Sequence, residues 1–275
     1  MNSYIDIHNH ILPEIDEDGP PDLGGSLMLA RALVKQGFDT VIATPHSFEG
    51  NPPVETILGA GRLLTAALEE QRIPLQVLPG AETVLEPQLL ERVKQGQVLT
   101  LNRSPYLLVE LPLFQELPPY TGELLFKLKA HGYEPVLAHP ERVRVFQKDP
   151  DALAALVARG VFLQLTLSSL TGLMGRAIER TSWQLLTRGL VHFLATDAHS
   201  AGRRLARTAP ALRRLKRTFG QGYVDTLLRE NPLRLLRGEE VCLTEPAPAR
   251  PGRLKAGPTV YLKTEATQWK KNWIY

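Results

Sequence analysis

Several common features are scarce or missing in this chain. Among 275 residues there is one cysteine, Cys242, so no internal disulfide can form. No apolar run approaches the roughly 18 residues that span a bilayer, so no membrane span is expected. Neither sign of charge is in large surplus: 32 Lys and Arg against 29 Asp and Glu leave a net charge of +3. That is too small to predict strong attraction to nucleic acid or to a membrane surface. The first residues, Met1-Asn2-Ser3-Tyr4-Ile5-Asp6, lack the basic and apolar regions of a secretory signal, and the cytoplasm is the expected location. What is present is ordinary: 43% hydrophobic and 22% charged residues, the balance of a soluble protein. The length fits one large α/β domain or two small ones, with enough chain to bury a core without staples.

Seven runs read as buried strands: Tyr4 to His8, Thr40 to Thr44, Leu75 to Leu78, Tyr106 to Leu111, Glu134 to Ala138, Val161 to Thr166 and Val191 to Thr196. Each is short, mostly aliphatic and bounded by Gly, Pro or polar residues, as buried parallel strands are. Segments of helical spacing lie between them. Leu27, Ala30, Leu33 and Val34 form one stripe that stops at Gly37, and Leu63, Leu64, Ala67 and Leu68 form the next. Pro87 can open a helix that stops at Gly96. Leu124, Leu125 and Leu128 precede Gly132, Asp151 can cap a helix ending at Gly160, and Trp183 to Leu186 precede Gly189. Strand and helix alternate at about 30 residues, the size of a βα unit. Such units close into a barrel with its site at the carboxyl ends of the strands. Seven of them, rather than eight, predict a distorted TIM-like (β/α)7 barrel. Arg204 to Arg237 reads as helical cover, with Leu212, Leu215, Tyr223, Leu227 and Leu228 in the core. The expected domain covers residues 1–243. Residues 244–275, first Pro-rich and then basic and aromatic with Trp269, Lys270, Lys271 and Trp273, read as a C-terminal tail.

The strand ends carry a second pattern. Ile5-Asp-Ile-His8-Asn-His10 turns two imidazoles to one side of a strand, and imidazole is the commonest transition-metal ligand. The later strands end in His46, Glu82, Glu110, His139-Pro-Glu-Arg142 and Asp197-Ala-His199, while the sixth ends Gln164-Leu-Thr166 with no obvious ligand. Five of the seven histidines thus fall on four strand ends; His131 and His192 stand outside the pattern and read as structural. The loop after the first strand adds Asp16, Glu17 and Asp18. Burying these groups at one barrel mouth is costly unless cations neutralise them. Nitrogen and oxygen donors without sulfur suit Mn, Fe or Zn, and their number suits two or three ions roughly 3.5–4 Å apart around a bridging carboxylate. Clusters of this kind hydrolyse phosphate esters. Arginine forks match the phosphate oxygens, which makes Arg142, Arg203 and Arg204 candidates.

Together Asp6-Ile-His8-Asn-His10-Ile-Leu-Pro, Ala43-Thr-Pro-His46, Pro79-Gly-Ala-Glu82, Leu108-Val-Glu110, Ala138-His139-Pro-Glu-Arg142, Gly172-Leu-Met-Gly175 and Asp197-Ala-His199 resemble the polymerase-and-histidinol-phosphatase superfamily. Within it they resemble the metal-dependent tyrosine-protein phosphatases of bacterial capsule and exopolysaccharide operons, over about residues 4–243. The resemblance implies a trinuclear, commonly Mn-activated site. One ion would take His8, His10, Glu82 and Asp197; a second Glu82, Glu110 and His139; a third His46, His199 and a first-loop acid. That acid maps onto Asp18, with Asp16 or Glu17 as alternatives because the loop carries one extra residue. Arg142 and Arg204 map onto phosphate-binding arginines. The implied substrate is the phosphotyrosine cluster on the tail of a bacterial tyrosine kinase. Two other readings are a small-molecule phosphatase acting on histidinol phosphate or a nucleotide, and a non-catalytic metal-binding module. Short loops such as Asn51 to Pro53 favour an open mouth and a protein substrate. A cysteine-dependent phosphatase is excluded, since it needs Arg six residues after the Cys; Pro248 stands there, and Cys242 reads as a packing residue.

Overall fold

The structure, a computed structural model, describes residues 3–49, 51–113 and 116–243. The expected tail from residue 244 onward lies outside the described residues. Among the described residues there are nine strands: β1 Tyr4–Asn9, β2 Phe38–Ala43, β3 His46–Ser47, β4 Gln76–Pro79, β5 Glu82–Val84, β6 Tyr106–Glu110, β7 Glu134–Ala138, β8 Phe162–Thr166 and β9 Phe193–Ala195. All pairings between them are parallel, in the orders β1-β2-β4 and β3-β5-β6-β7-β8-β9. β3 and β5 lie beyond the expected strand ends at Thr44 and Leu78 and continue those two paths. The strand paths are interrupted at Thr44-Pro45 between β2 and β3 and at Gly80-Ala81 between β4 and β5, with the pairing offset unchanged. Counted as continuous paths there are seven strands, as expected. The ring is joined at its seam by hydrogen bonds from Asp197 N to His8 O (2.9 Å) and from His10 N to Ala198 O (3.0 Å).

Helices α1 Leu23–Gln36, α2 Val54–Glu70, α3 Leu89–Lys94, α4 Thr121–Ala130, α5 Arg144–Lys148, α6 Pro150–Val157 and α7 Arg176–Thr187 follow the strands. Then α8 Thr208–Phe219, α9 Gln221–Asp225, a π-helical turn Thr226–Glu230 and α10 Asn231–Leu236 form the expected cover. Asp22 caps α1 by accepting from Gly25 N at 2.7 Å, and Gly37 ends it at φ 96°, a conformation costly for any residue with a Cβ. The aliphatic strand residues and the inner helix faces are buried in two clusters. The five cover residues named from the sequence are all buried.

Three expectations need correction. Leu63 is 55% exposed; the inner face of α2 is instead Ile57, Leu64, Ala67 and Leu68. The cap of α6 is Asp149, which precedes a proline at the first helical position and accepts from Asp151 N; Asp151 pairs with Arg188 at 2.6 Å. Cys242 is exposed rather than packed.

Candidate metal centre

Six of the seven strand paths deliver candidate ligands to one rim. His8 and His10 come from the end of β1, His46 from β3, Glu82 from β5, Glu110 from β6, His139 from just after β7, and Asp197 and His199 from just after β9. His139 and Asp197 have positive φ of 33° and 49°, sparsely populated backbone for residues with a Cβ. The surrounding sheet bonds hold them there, among them Asp197 N to His8 O.

Glu82 lies at the centre. Its Oε2 is 3.2 Å from His8 Nε2, 3.4 Å from His10 Nε2 and 3.2 Å from His46 Nδ1. Its Oε1 is 2.9 Å from His139 Nε2, which lies 3.8 Å from Glu110 Oε1. Asp197 Oδ1 lies 3.6 Å from nitrogens of His8, His10 and His199. The eight residues fall into four overlapping groups whose ligand atoms are within 4.8 Å of one another: His8, His10 and Glu82; His8, His139 and Asp197; His46, Glu82 and Glu110; His10, His46 and His199. These groups overlap more than the three sets implied by the resemblance, which share only Glu82: His8, His10, His46 and Glu82 are each in two.

A cation fits this arrangement on two grounds. Glu82 Oε2 is buried without a hydrogen bond, a costly state for a carboxylate oxygen unless a positive charge faces it. The Nε2 atoms of His8 and His10 lie 3.1 Å apart, while their Nδ1 atoms are turned to acceptors on the far side. These are Gln164 Oε1 at 2.8 Å and Asp16 Oδ2 at 3.1 Å. Such acceptors take the Nδ1 proton and leave two converging Nε2 lone pairs, as in metal-ligating histidines.

The electrostatics of the bare residues agree. Burial pushes His8 and His10 down, yet Glu82 and Asp197 raise His8, and the hydrogen bond to Asp16 together with the negative charges of Glu82 and Asp197 raises His10 to about 10. Burial and then Glu82 push Glu110 up to about 7. Burial and Arg142 push His139 down to about 4, and burial and His10 push His199 down to about 4. Burial opposes ionisation of Asp197, but Arg142, His8 and Arg204 hold it well below the usual carboxylate range.

Both mapped arginines reach the rim by way of Asp197. Arg142 Nη2 pairs with Asp197 Oδ2 and donates to Thr166 Oγ1 at 3.2 Å. Arg204 Nη1 donates to Asp197 Oδ1 at 2.8 Å, while Arg203 is exposed. The first-loop acids divide. Asp16 is buried at its carboxylate and spans His10 Nδ1 and the amide of His46, at 3.1 and 2.9 Å. Asp18 is 65% exposed with Oδ2 3.3 Å from His199 Nε2, and Glu17 is exposed.

Three contributors were missed in the sequence. Gln164 on the strand without a ligand orients His8. Buried Glu141 accepts from Thr166 N at 3.0 Å and Ser169 Oγ at 2.8 Å, fixing the turn beside His139. Asp6 accepts from Thr196 N at 2.9 Å and Asn9 Nδ2 at 2.8 Å, tying β1 to the end of β9. Gln164 and Asp6 each stand two residues from a residue of the rim and share its strand face, the one signal that could have found them. His131 is at the α4 C-terminus with Nδ1 2.8 Å from Lys127 O, and His192 is buried away from the rim.

Known proteins share this chain's pattern over nearly its whole described length. It is 39% identical over 253 residues to the tyrosine-protein phosphatase YwqE of Bacillus subtilis, covering 91% of this chain and 98% of that one. It is 34% identical to the putative tyrosine-protein phosphatase CapC of Staphylococcus aureus, covering 71% and 77%. Among solved structures, one described as YwqE from Bacillus subtilis and CpsB from Streptococcus pneumoniae, unique metal-dependent tyrosine phosphatases, superposes with a TM-score of 0.83 at 38% identity. That superposition covers 90% of this chain and 99% of the other. Residues 4–237 match the family described as capsular polysaccharide synthesis, CpsB/CapC, and the chain belongs to that family.

Proposed function

We propose that this protein is a metal-dependent phosphatase that hydrolyses phosphotyrosine on proteins, its substrate being the phosphorylated tail of a bacterial tyrosine kinase that controls polysaccharide assembly. The observation that carries the reading is Glu82 Oε2, buried and without a hydrogen bond among the nitrogens of His8, His10 and His46, beside a rim with two arginines. The names of the similar proteins point the same way. In this reading His8, His10, His46, Glu82, Glu110, His139, Asp197 and His199 hold two to three divalent ions. Mn is the first expectation, with Fe and Zn as alternatives. Asp18 adds an outer ligand beside His199, and Asp16 orients His10. Divalent ions, when bound, supply Lewis acidity that lowers the pKa of water and offsets phosphate charge.

The chain's own residues do the remainder. Asp197 positions Arg142 and Arg204 side by side on one carboxylate. Each guanidinium has five N–H donors, more than Asp197 and Thr166 occupy, so both keep donors for phosphate oxygens. Burial of the His8, His10 and Glu82 floor restricts water to the rim. The proposal includes action in the cytoplasm, where a lone thiol such as Cys242 stays reduced.

The test is turnover of phosphotyrosine peptides, histidinol phosphate and nucleotides by the Mn-loaded protein, with and without chelator. Preference for the phosphotyrosine peptides, abolished by chelator, is expected. Preference for histidinol phosphate or a nucleotide would replace the substrate assignment, and activity that survives complete chelation would overturn the metal-dependent reading.

A further inference from the structure

The metal cluster and arginines recognise a phosphate group; nothing in them distinguishes the alcohol it is esterified to. If the substrate is phosphotyrosine, recognition of the phenyl ring must come from the rim around them. Among the described residues the exposed large apolar side chains are Met28, Phe48, Leu63, Phe126 and Leu243. Met28, Leu63 and Phe126 are on α1, α2 and α4, and Leu243 follows α10. Phe48 alone stands at the carboxyl end of the strands, two residues after His46 on the same strand face. Its ring stacks on the His46 imidazole, with centroids 5.3 Å apart and planes 19° apart, yet the residue remains 45% exposed. One face is therefore packed against a side chain whose Nδ1 faces Glu82, and accessible ring surface remains beside the phosphate-binding rim.

The backbone that carries the ring is braced by hydrogen bonds. Phe48 N donates to Asn51 O at 3.0 Å and Asn51 N donates to Phe48 O at 2.8 Å. Thr83 Oγ1 donates to Ser47 O at 3.0 Å, and Asp16 accepts from His46 N. A solvent-facing aromatic ring on a braced backbone loses little freedom when a second ring stacks on it.

We infer that Phe48 is a specificity-determining residue, an aromatic platform for the phenyl ring of a phosphotyrosine substrate whose phosphate lies on the adjoining metal and arginine rim. The inference rests on the phosphotyrosine reading above. Its test compares the wild-type Mn-loaded protein with Phe48→Ala and Phe48→Tyr. Two quantities are read: kcat/KM for a phosphotyrosine peptide relative to glycerol 2-phosphate, and the calorimetric Kd of phenylphosphonate relative to methylphosphonate.

An aromatic pair contributes enough beyond simple burial that Phe48→Ala should lower both ratios about fivefold, chiefly through KM in the kinetic ratio, while Phe48→Tyr restores them. Equal losses on aromatic and aliphatic ligands would mean that the ring only buttresses His46 and would overturn the inference, as would unchanged ratios. Failure of the phosphotyrosine reading is seen separately, as wild-type protein that turns over glycerol 2-phosphate but not the peptide. The phosphonate ratio still decides ring recognition in that case.

Discussion

Replacing Asp6 by Asn should damage both the fold and the metal site, although Asp6 touches no metal-ligating atom. Asp6 is fully buried. Its Oδ1 accepts from Thr196 N, and its Oδ2 accepts from Asn9 Nδ2 and the Thr196 hydroxyl. The Thr196 hydroxyl already accepts from Asn9 Nδ2 at 3.0 Å and Ala198 N at 3.2 Å, so it cannot readily turn to receive another donor. In either orientation the new amide points an N–H at a donor. Losing a hydrogen bond to a charged acceptor costs roughly 1.5–3 kcal/mol, and stranding a buried donor about 1–3 more. A partial offset exists, because burial raises the Asp6 pKa against the hydrogen bonds that lower it, and a neutral amide is easier to bury than a carboxylate. The net cost is about 2–4 kcal/mol. For a chain of this size that lowers Tm by roughly 5–12 °C, measured by thermal unfolding in chelator so that metal binding does not contribute. Because Thr196 precedes Asp197, and Asn9 lies between His8 and His10, metal affinity should also fall about 10- to 100-fold. Glu91→Gln, which breaks only an exposed pair with Lys94, is the control and should shift stability by less than about 0.5 kcal/mol. An Asp6→Asn protein melting within 2 °C of wild type and binding metal normally would refute the reasoning.

Glu82→Gln should lose at least one ion per chain by elemental analysis and lower kcat by about two orders of magnitude or more; full metal content at wild-type turnover would remove Glu82 from the centre. Asp16→Asn should weaken metal binding about 10- to 100-fold through loss of the His10 orientation. A larger effect from Asp18→Asn, with Asp16→Asn neutral, would show that Asp16 has no such role. His192 is buried, accepts from Leu163 N at 3.1 Å, and is pushed down to about 3 by burial. Its folded pKa is depressed below the unfolded value of about 6.5, so the unfolded chain binds a proton first, and stability present above pH 6.5 falls as pH drops toward 3, by up to about 1.4 kcal/mol per unit. His192→Asn, which retains an acceptor for Leu163 N, should flatten that decline in chelator-treated melts; an unchanged slope would place the proton elsewhere.

Much of the barrel was legible because its signals are local. Short aliphatic runs fix strands, and glycines at the expected stops take positive φ: Gly37, Gly96, Gly132, Gly160 and Gly189. The metal ligands were legible because imidazoles and carboxylates recur at strand ends, where parallel topology brings residues distant in sequence together. The supporting residues were hidden for the opposite reason. Gln164, Asp6 and Glu141 have ordinary identities, and their roles depend on which strand lies beside them. Gln164 on β8 meets His8 on β1, 156 positions away, a pairing no spacing rule contains. The exposed face of α2 was misread at Leu63 because a helical stripe in sequence does not say where its edge meets water.

The parallel pairing carried across the two strand breaks places two of the ligands. A continuous β2 would send successive residues alternately toward the barrel and away from it, and a continuous β4 would do the same. Across the breaks at Thr44-Pro45 and Gly80-Ala81 the parallel pairing keeps its offset, with Ala43 opposite Pro79 and His46 opposite Glu82, and Glu82 N bonded to Pro45 O at 3.0 Å. Gly80 is required at its break: a Cβ there would come within 2.7 Å of Ile42 Cγ2 and 3.3 Å of Ala43 O. In the sequence these breaks look only like strand ends. In the fold the parallel pairing runs on past them, so His46 and Glu82 stand opposite one another and Glu82 Oε2 reaches His8 Nε2 at 3.2 Å and His10 Nε2 at 3.4 Å.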